Sequence, residues 1–159
     1  MGDNNKSNAK NLLIGLILGG TIVALFLFMN QQLKVRNNYV ALDRNIRIKV
    51  EAATTDSERY RGLSDRASLC KNCGLLFVWP DKATRTFVMR NMRFPLDIIF
   101  IADDRIVKID SNLTPEGPNP KETYESLVPV NYVLEINGGL TDLYGIEVGD
   151  EAFISITEK

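Results

Sequence analysis

Two cysteines, Cys70 and Cys73, are spaced as C-x-x-C and form the first arrangement in this chain that could carry chemistry. Thiols at this spacing can form a redox-active pair, a structural disulfide or half of a metal site. Redox pairs commonly open a helix, whose N-terminus lowers the thiol pKa, whereas here an apolar, strand-like run follows. A structural zinc ion needs four ligands, so two chains would have to share one ion. We therefore expect a local disulfide, with a thiol–disulfide protein and a metal-bridged dimer as alternatives.

Two carboxylates, Asp97 and Glu135, are candidates for general acid–base catalysis of the kind that cleaves glycosides. Asp97 opens the apolar run 97–102, so it would stand at the mouth of a strand. Glu135 lies within the apolar run 132–136, where a carboxylate must face water or have a partner. A carboxylate-dependent hydrolase that uses Asp97 and Glu135 is therefore one alternative hypothesis for the function.

Polar side chains flank these two runs and could converge at one end of a sheet. Pro95 keeps the residue before it extended, so the segment 90–97 would lead directly into its strand. Converging arginine, asparagine and carboxylate groups would form a rim that binds an anion or a sugar. An Arg–Asp ion pair with an asparagine turn would use the same residue types for structure alone. The predicted ligand-binding rim comprises Arg90, Asn91, Asp97, Glu135 and Asn137.

Aromatic residues are concentrated in the same part of the sequence. Trp79 precedes Pro80, and Phe77, Phe87 and Phe94 are close to it along the chain. These rings could form a platform on which a sugar stacks, but the aromatic residues of strands mainly fill cores. A core cluster is therefore their expected role.

Histidine is absent, and the charge is nearly balanced, with 19 Lys+Arg against 20 Asp+Glu and a formal net charge of −1. The lack of histidine excludes Ser–His–Asp and Cys–His nucleophile systems and every His-ligated metal site. The lack of a basic surplus argues against a nucleic-acid partner. No cofactor and no metal are predicted.

Residues 11–29 contain no charged side chain, and this run is long enough to cross a bilayer core, which takes about 20 apolar residues. A cleavable signal peptide has a shorter apolar region followed by a small-x-small site, and neither feature is present. We expect one transmembrane anchor helix at 11–30 after a short tail, 1–10, with the lipid bilayer as a partner. The basic tail favours a cytoplasmic N-terminus, so we expect the globular domain at the cell membrane, on its extracytoplasmic side.

A linker, 31–43, and one globular β-rich domain, 44–159, are expected after the anchor. Alternation of apolar and charged residues predicts a strand at 44–51, and Thr55 with Glu58 forms the capping-box signature of a short helix. Further strands are predicted at 74–79, 86–91, 97–102, 105–109, 132–136 and 152–157, a second short helix at 138–144, and a long irregular loop at 111–131. This pattern predicts an α+β, mainly β fold: a compact antiparallel barrel-like domain with two short helices.

Five ordered blocks of the sequence resemble a known family. They are Glu58–Leu63, Gly74–Pro80, Phe87–Phe100, Tyr132–Gly139 and Gly145–Asp150. Together they resemble the domain of unknown function 192 (DUF192) family, whose members are often exported or membrane-anchored. The resemblance implies a small, compact β-rich domain and no particular reaction. Many relatives carry cysteines in the loop that corresponds to 115–125, where this chain has none.

The leading functional hypothesis combines these observations. It is a membrane-anchored extracytoplasmic domain that binds an unknown ligand or protein partner at the cell envelope. The carboxylate hydrolase and the thiol–disulfide protein are the alternatives, and an enzyme is the less favoured class.

Overall fold

The computed structural model describes residues 38–43 and 45–157. The predicted anchor, 11–30, lies outside these residues. Among the residues that are described, no helix is both long enough and apolar enough to span a bilayer.

Nine strands and two short helices make up the described part of the chain. The strands are β1 Tyr39–Leu42, β2 Ile46–Ala53, β3 Cys73–Ala83, β4 Thr86–Phe87, β5 Leu96–Ala102, β6 Arg105–Leu113, β7 Tyr124–Glu125, β8 Val130–Asn137 and β9 Ala152–Ser155. The helices are α1 Asp56–Arg61 and α2 Leu140–Tyr144. Seven strands form one sheet in the order β6-β5-β8-β3-β2-β1-β9, and β4 pairs with β7 in a small second sheet. The predicted mainly β fold with two short helices is therefore confirmed.

The edges of the seven-stranded sheet approach each other, which gives it a barrel-like shape. Arg105, at the start of β6, forms an isolated antiparallel bridge with Glu151, just before β9. In addition, the Ile106 N–H donates to Asp150 O at 3.0 Å. These bonds occupy backbone groups that an open sheet would leave unpaired at both of its edges.

Three details of the predicted topology are wrong. β2 and β3 pair in parallel, because α1 lies between them and lets the chain return to the same end of the sheet. Residues 39–42 are not linker but form β1, which pairs with β2 and β9. β3 continues past Pro80. Its pairing with β8 is interrupted between Val78 and Ala83, so Pro80, which has no N–H, lies where no ladder hydrogen bond is required of it.

Both faces of the central strands are buried, in two separate apolar cores. The inner core receives side chains from all seven strands of the large sheet, and in β5 these are Ile99 and Ile101. Ile98 and Phe100 belong to the outer core, because successive side chains of a strand point to opposite faces. Segments outside the large sheet complete the outer core, and Met89 is one of their buried side chains.

Helix α1 begins at the capping box that the sequence predicts. Glu58 N donates to Thr55 Oγ1 at 3.2 Å, and Thr55 N donates to Glu58 Oε2 at 3.0 Å. The helix ends at Gly62, whose φ of +54° is costly for any residue with a Cβ. These two ends fix the place at which the chain turns back toward the outer core.

Candidate functional site

Asp97 is fully buried on β5, where its carboxylate organises neighbouring backbone. Asn112 N and Gly139 N donate to Oδ1 at 2.7 and 2.8 Å. Thr141 donates to Oδ2 from both its N and its Oγ1, each at 2.8 Å. These four hydrogen bonds join β5 to β6 and to the start of α2 and use the acceptor capacity of a carboxylate. Asp97 therefore has a structural role.

Glu135 is the buried carboxyl group that lacks such partners. It lies on β8 between Ile98 of β5 and Leu75 of β3, and it is 5% exposed. Its Oε2 is buried and has no hydrogen-bond partner among the described residues. Burial raises the pKa of Glu135 to about 8, and the charge of Arg66 opposes this only in part. Both terminal nitrogens of Arg66 donate instead to Glu51, at 2.7 and 2.8 Å.

Glu135 lines a cleft of about 320 Å³ on the outer face of the sheet. The cleft lies between α1 with the turn that follows it and the segment that runs from β3 into β4. Its volume is within the range of small-molecule sites, which is about 300–1,000 Å³. We call it the Glu135 cleft, and its other lining residues include Phe77, Trp79, Phe87, Arg61, Arg85 and Arg90.

Aromatic rings form part of the wall of the Glu135 cleft. The centroids of Phe77 and Trp79 are 6.1 Å apart in a stacked pair, and Phe87 meets Phe77 edge-on at 4.8 Å. Phe77 is buried in the outer core, whereas Trp79 and Phe87 are partly exposed at its margin. The guanidinium carbons of Arg85 and Arg59 lie 4.4 and 5.4 Å from the centroid of the Trp79 ring. The aromatic cluster thus contributes to the core and also presents ring surface to the cleft.

Arginine side chains give the Glu135 cleft a positive charge. Arg85 Nη2 donates to Asp81 Oδ1 at 3.0 Å, but Arg85 Nε is buried and has no partner in the described part of the chain. Arg90 Nη2 donates to the carbonyl oxygen of Tyr60 at 2.7 Å. Within residues 38–43 and 45–157, Arg90 and Arg61 form no ion pair. The cleft therefore combines unneutralised cations with one unused buried donor.

Comparison with known proteins identifies the family. The sequence matches the DUF192 family, described as uncharacterized ACR, over residues 39–154. The chain belongs to the DUF192 family. This confirms the resemblance that the five sequence blocks indicate. Among curated proteins, no sequence matches the chain.

Two solved structures are similar to this DUF192 protein. A proposed transcription regulator from Sinorhizobium meliloti 1021 is 31% identical, with a TM-score of 0.68, over 74% of this chain and 92% of that protein. A protein of unknown function from Novosphingobium aromaticivorans DSM 12444 is 34% identical, with a TM-score of 0.66, over 72% of this chain and 83% of that protein. Both of these proteins share the fold of this chain.

The five predicted rim residues of this DUF192 domain do not converge on one site. Arg90 and Glu135 line the same cleft, and Asn91 follows Arg90 in a turn with a φ of +52°. Asp97 lies on the opposite face of the sheet, with its hydrogen bonds fully used. Asn137 lies at the end of β8 and holds the cysteine loop. The structure therefore brings together Arg90 and Glu135 but separates Asp97 and Asn137 from them.

The predicted disulfide between Cys70 and Cys73 is present and closes the turn before β3. Cys73 N donates to Cys70 O at 3.1 Å, and Asn137 Nδ2 donates to the same oxygen at 2.9 Å. Tyr144 Oη donates to Asn72 Oδ1 at 2.8 Å and holds the middle of the loop. The loop precedes a strand, whereas redox pairs commonly open a helix. The described residues also contain no group of three or more side chains suited to metal binding.

Sequence reasoning missed Gly62, Arg66 and Arg85. A glycine directly after a capped helix is a signal for a chain reversal, so Gly62 could have been found. A Cβ at Gly62 would lie 3.5 Å from Phe77 Cζ and 3.9 Å from Glu135 Oε2, which shows how closely this turn approaches the cleft. The two arginines carry no local signal, because isolated arginines in loops are usually solvated.

Proposed function

We propose that this DUF192 protein is a membrane-tethered, extracytoplasmic domain that binds a small ligand in the Glu135 cleft. The observation that carries the proposal is the buried Oε2 of Glu135, which has no hydrogen-bond partner among the described residues. Leaving a buried polar group unpaired costs about 1–3 kcal/mol, so folds seldom retain one without a use. A ligand that hydrogen-bonds Glu135 would recover this free energy on binding.

The geometry favours binding over carboxylate-dependent hydrolysis. A glycosidase needs two carboxyl groups, one on each side of the bond that is cleaved. Glu135 is the one carboxyl group among the described residues that line the cleft. Asp97 belongs to the other face of the sheet and is already saturated with hydrogen bonds. The hydrolase that uses Asp97 and Glu135 together is therefore not supported.

The membrane tether is proposed from the sequence alone. Residues 11–29 are uncharged and long enough to cross a bilayer as a helix. The same topology would place Cys70 and Cys73 in an oxidising compartment, where a disulfide persists. A tethered binding domain would present the Glu135 cleft to solutes of the cell envelope.

A regulator role, as proposed for the Sinorhizobium relative, is not extended to this chain. Nucleic-acid binding depends on cationic surface that neutralises phosphates. This sequence has a formal net charge of −1 and no basic surplus. We therefore keep the prediction that nucleic acid is not a partner.

A fragment screen by ligand-observed NMR on the full-length protein in detergent tests the binding role. We expect hits that are lost in Thr84→Phe, because Thr84 is an exposed residue of the cleft lining and a phenyl ring there would occupy its mouth. The matched control is Thr114→Phe, at an exposed threonine that does not line the cleft. Hits that survive Thr84→Phe as well as they survive Thr114→Phe would show that the cleft is not the binding site.

Membrane fractionation tests the tether. The full-length chain should remain with membranes through alkaline carbonate extraction. Protease should digest the domain when it is added to cells whose cytoplasmic membrane is intact and whose outer layers are permeable to it. Recovery of the chain in the soluble fraction at the mass of a cleaved form would contradict the anchor. Protection of the domain until the cytoplasmic membrane is lysed would contradict the orientation.

A further inference from the structure

We infer that the ligand of the Glu135 cleft is a small organic anion with a flat, apolar body. This inference rests on the ligand-binding function proposed above and adds the chemical class of the ligand. Three features of the cleft support it: its charge, its ring surface and its two unpartnered polar atoms.

The charge of the lining favours an anion. Four arginines, Arg59, Arg61, Arg85 and Arg90, line the cleft together with one carboxyl group. Arg59 and Arg85 pair with Asp56 and Asp81, whereas the described residues provide no ion-pair partner for Arg61 and Arg90. Guanidinium groups bind carboxylates and phosphates through two parallel hydrogen bonds. A cationic ligand would meet this set of charges unfavourably.

The ring surface favours a flat body. Trp79 and Phe87 are partly exposed and line the cleft, and their centroids lie 6.3 Å apart with the rings nearly perpendicular, at 88°. Aromatic pairs commonly adopt stacked or edge-to-face arrangements, so a planar ligand can contact both rings. The cleft volume of about 320 Å³ limits the ligand to a small molecule.

The unpartnered atoms favour an oxygen-rich ligand. Arg85 Nε is a buried donor without an acceptor among the described residues, and Glu135 Oε2 is a buried oxygen without a partner there. An anionic oxygen would satisfy Arg85. The carboxyl group of Glu135 can donate to or accept from a second oxygen of the ligand.

Three isosteric probes of different charge test this inference: benzoate, benzamide and benzamidine. Trp79 is the one tryptophan of the chain, so its emission reports directly on the cleft. We would titrate the full-length protein, in an uncharged detergent, with each compound and fit only saturable changes. We expect benzoate to bind at least about tenfold more tightly than benzamide, which corresponds to one charge-assisted hydrogen bond, and benzamidine to bind most weakly.

Arginine variants show whether the cleft causes this preference. Arg85→Gln should remove most of the advantage of benzoate over benzamide, because the buried donor is lost. Arg61→Gln is the second variant and should also reduce the advantage of benzoate. Arg61 lines the cleft and forms no ion pair in the described chain, so its loss should leave the fold intact. Arg93→Gln is the control, at an exposed arginine that does not line the cleft. It should leave the preference unchanged.

The outcomes separate the inference from the proposed function. Tighter binding of benzamidine or benzamide than of benzoate overturns the anion inference but leaves a ligand-binding cleft. Equal loss of preference in Arg93→Gln and in the cleft variants also overturns it. Absence of any saturable response overturns the inference as well, and the fragment screen with Thr84→Phe then decides separately whether the cleft binds any ligand.

Discussion

Asp97 and Glu135 lie on adjacent strands one position apart in register, and their side chains project from opposite faces of the sheet. Asp97 is opposite Ile136, and Glu135 is opposite Ile98. Ile136 belongs to the inner core and Ile98 to the outer core, which fixes the face of each carboxyl group. The two groups therefore have separate environments and should respond to substitution in different ways.

Asp97→Asn should destabilise the fold strongly. Asparagine offers one acceptor oxygen and introduces an NH₂ group among backbone N–H donors from Asn112, Gly139 and Thr141. We expect the free energy of unfolding to fall by on the order of 3–5 kcal/mol, as for a buried charged group that loses its partners. Urea unfolding measures this loss. A change of less than about 1 kcal/mol would contradict a structural role.

The matched control for Asp97 is Asp103→Asn. Asp103 is exposed, pairs with Lys82 at the surface and has a φ of +57°, a conformation that asparagine tolerates well. Exposed ion pairs contribute about 1 kcal/mol or less. Asp103→Asn should therefore unfold close to the wild-type urea concentration.

Replacement of Cys70 and Cys73 by serine should cost little. A disulfide across so short a loop contributes about 2 kcal/mol by the chain-entropy relation. Hydrogen bonds from Asn137 and Tyr144 hold the same loop independently. Urea unfolding of the variant, and of the wild type with reductant, should give similar small losses. A loss well above about 2 kcal/mol would mean that the disulfide organises more of the fold than its own turn.

Local signals in the sequence predict much of this fold. The capping box of Thr55 and Glu58, the apolar run of β5 and the Asp103–Asp104 turn each depend on residues close together in the chain. The structure reproduces each of these elements at nearly the predicted position. Their physical determinants are capping, burial and turn formation within a few residues.

Non-local pairing explains what the sequence could not predict. The alternation of side chains along a strand shows which residues of the same strand share a face with Asp97, and which share a face with Glu135. Only the register between β5 and β8 shows that the two carboxyl groups lie on opposite faces of the sheet. Likewise, Arg85 reaches the Trp79 ring because the chain folds back between β3 and β4. β4 in turn pairs with β7, which is distant in the sequence. No residue pattern near Arg85 encodes that distant pairing.

Gly74→Ala should be destabilising because β3 and β8 pack closely there. A Cβ at Gly74 would lie 2.8 Å from the backbone oxygen of Glu135 and 2.9 Å from Leu134 Cδ1. The strands would have to move apart, at a cost of about 1–3 kcal/mol. Gly117→Ala is the control, since a Cβ at Gly117 would have no atom within 4 Å among the described residues, and it should change stability by less than about 1 kcal/mol. Thermal unfolding that ranks the two variants equally would contradict this packing.

Glu135 should make the stability of the fold depend on pH across a range in which few groups titrate. The pKa of Glu135 is about 8 in the folded protein, against an ordinary value of 4.5. Between these values the folded state retains a proton that the unfolded state has lost, so stability falls as pH rises. The free energy of unfolding should fall by up to about 1.4 kcal/mol per pH unit. It should stop falling once the pH exceeds the pKa of Glu135 in the folded protein. Histidine, the usual titrating side chain in this range, is absent from the sequence.

Glu135→Gln should abolish this slope, because the amide is neutral at every pH and Oε2 has no hydrogen bond to lose within the described residues. Urea unfolding from about pH 5 to pH 8.5 should show wild-type stability declining while the variant stays level, so that the variant is the more stable protein at the alkaline end. Glu122→Gln, at an exposed glutamate, is the matched control and should retain the wild-type slope. Parallel curves for wild type and Glu135→Gln would mean that Glu135 is ionised in the folded protein. In that case a neutral acid in the cleft would no longer be available to donate a hydrogen bond to a ligand.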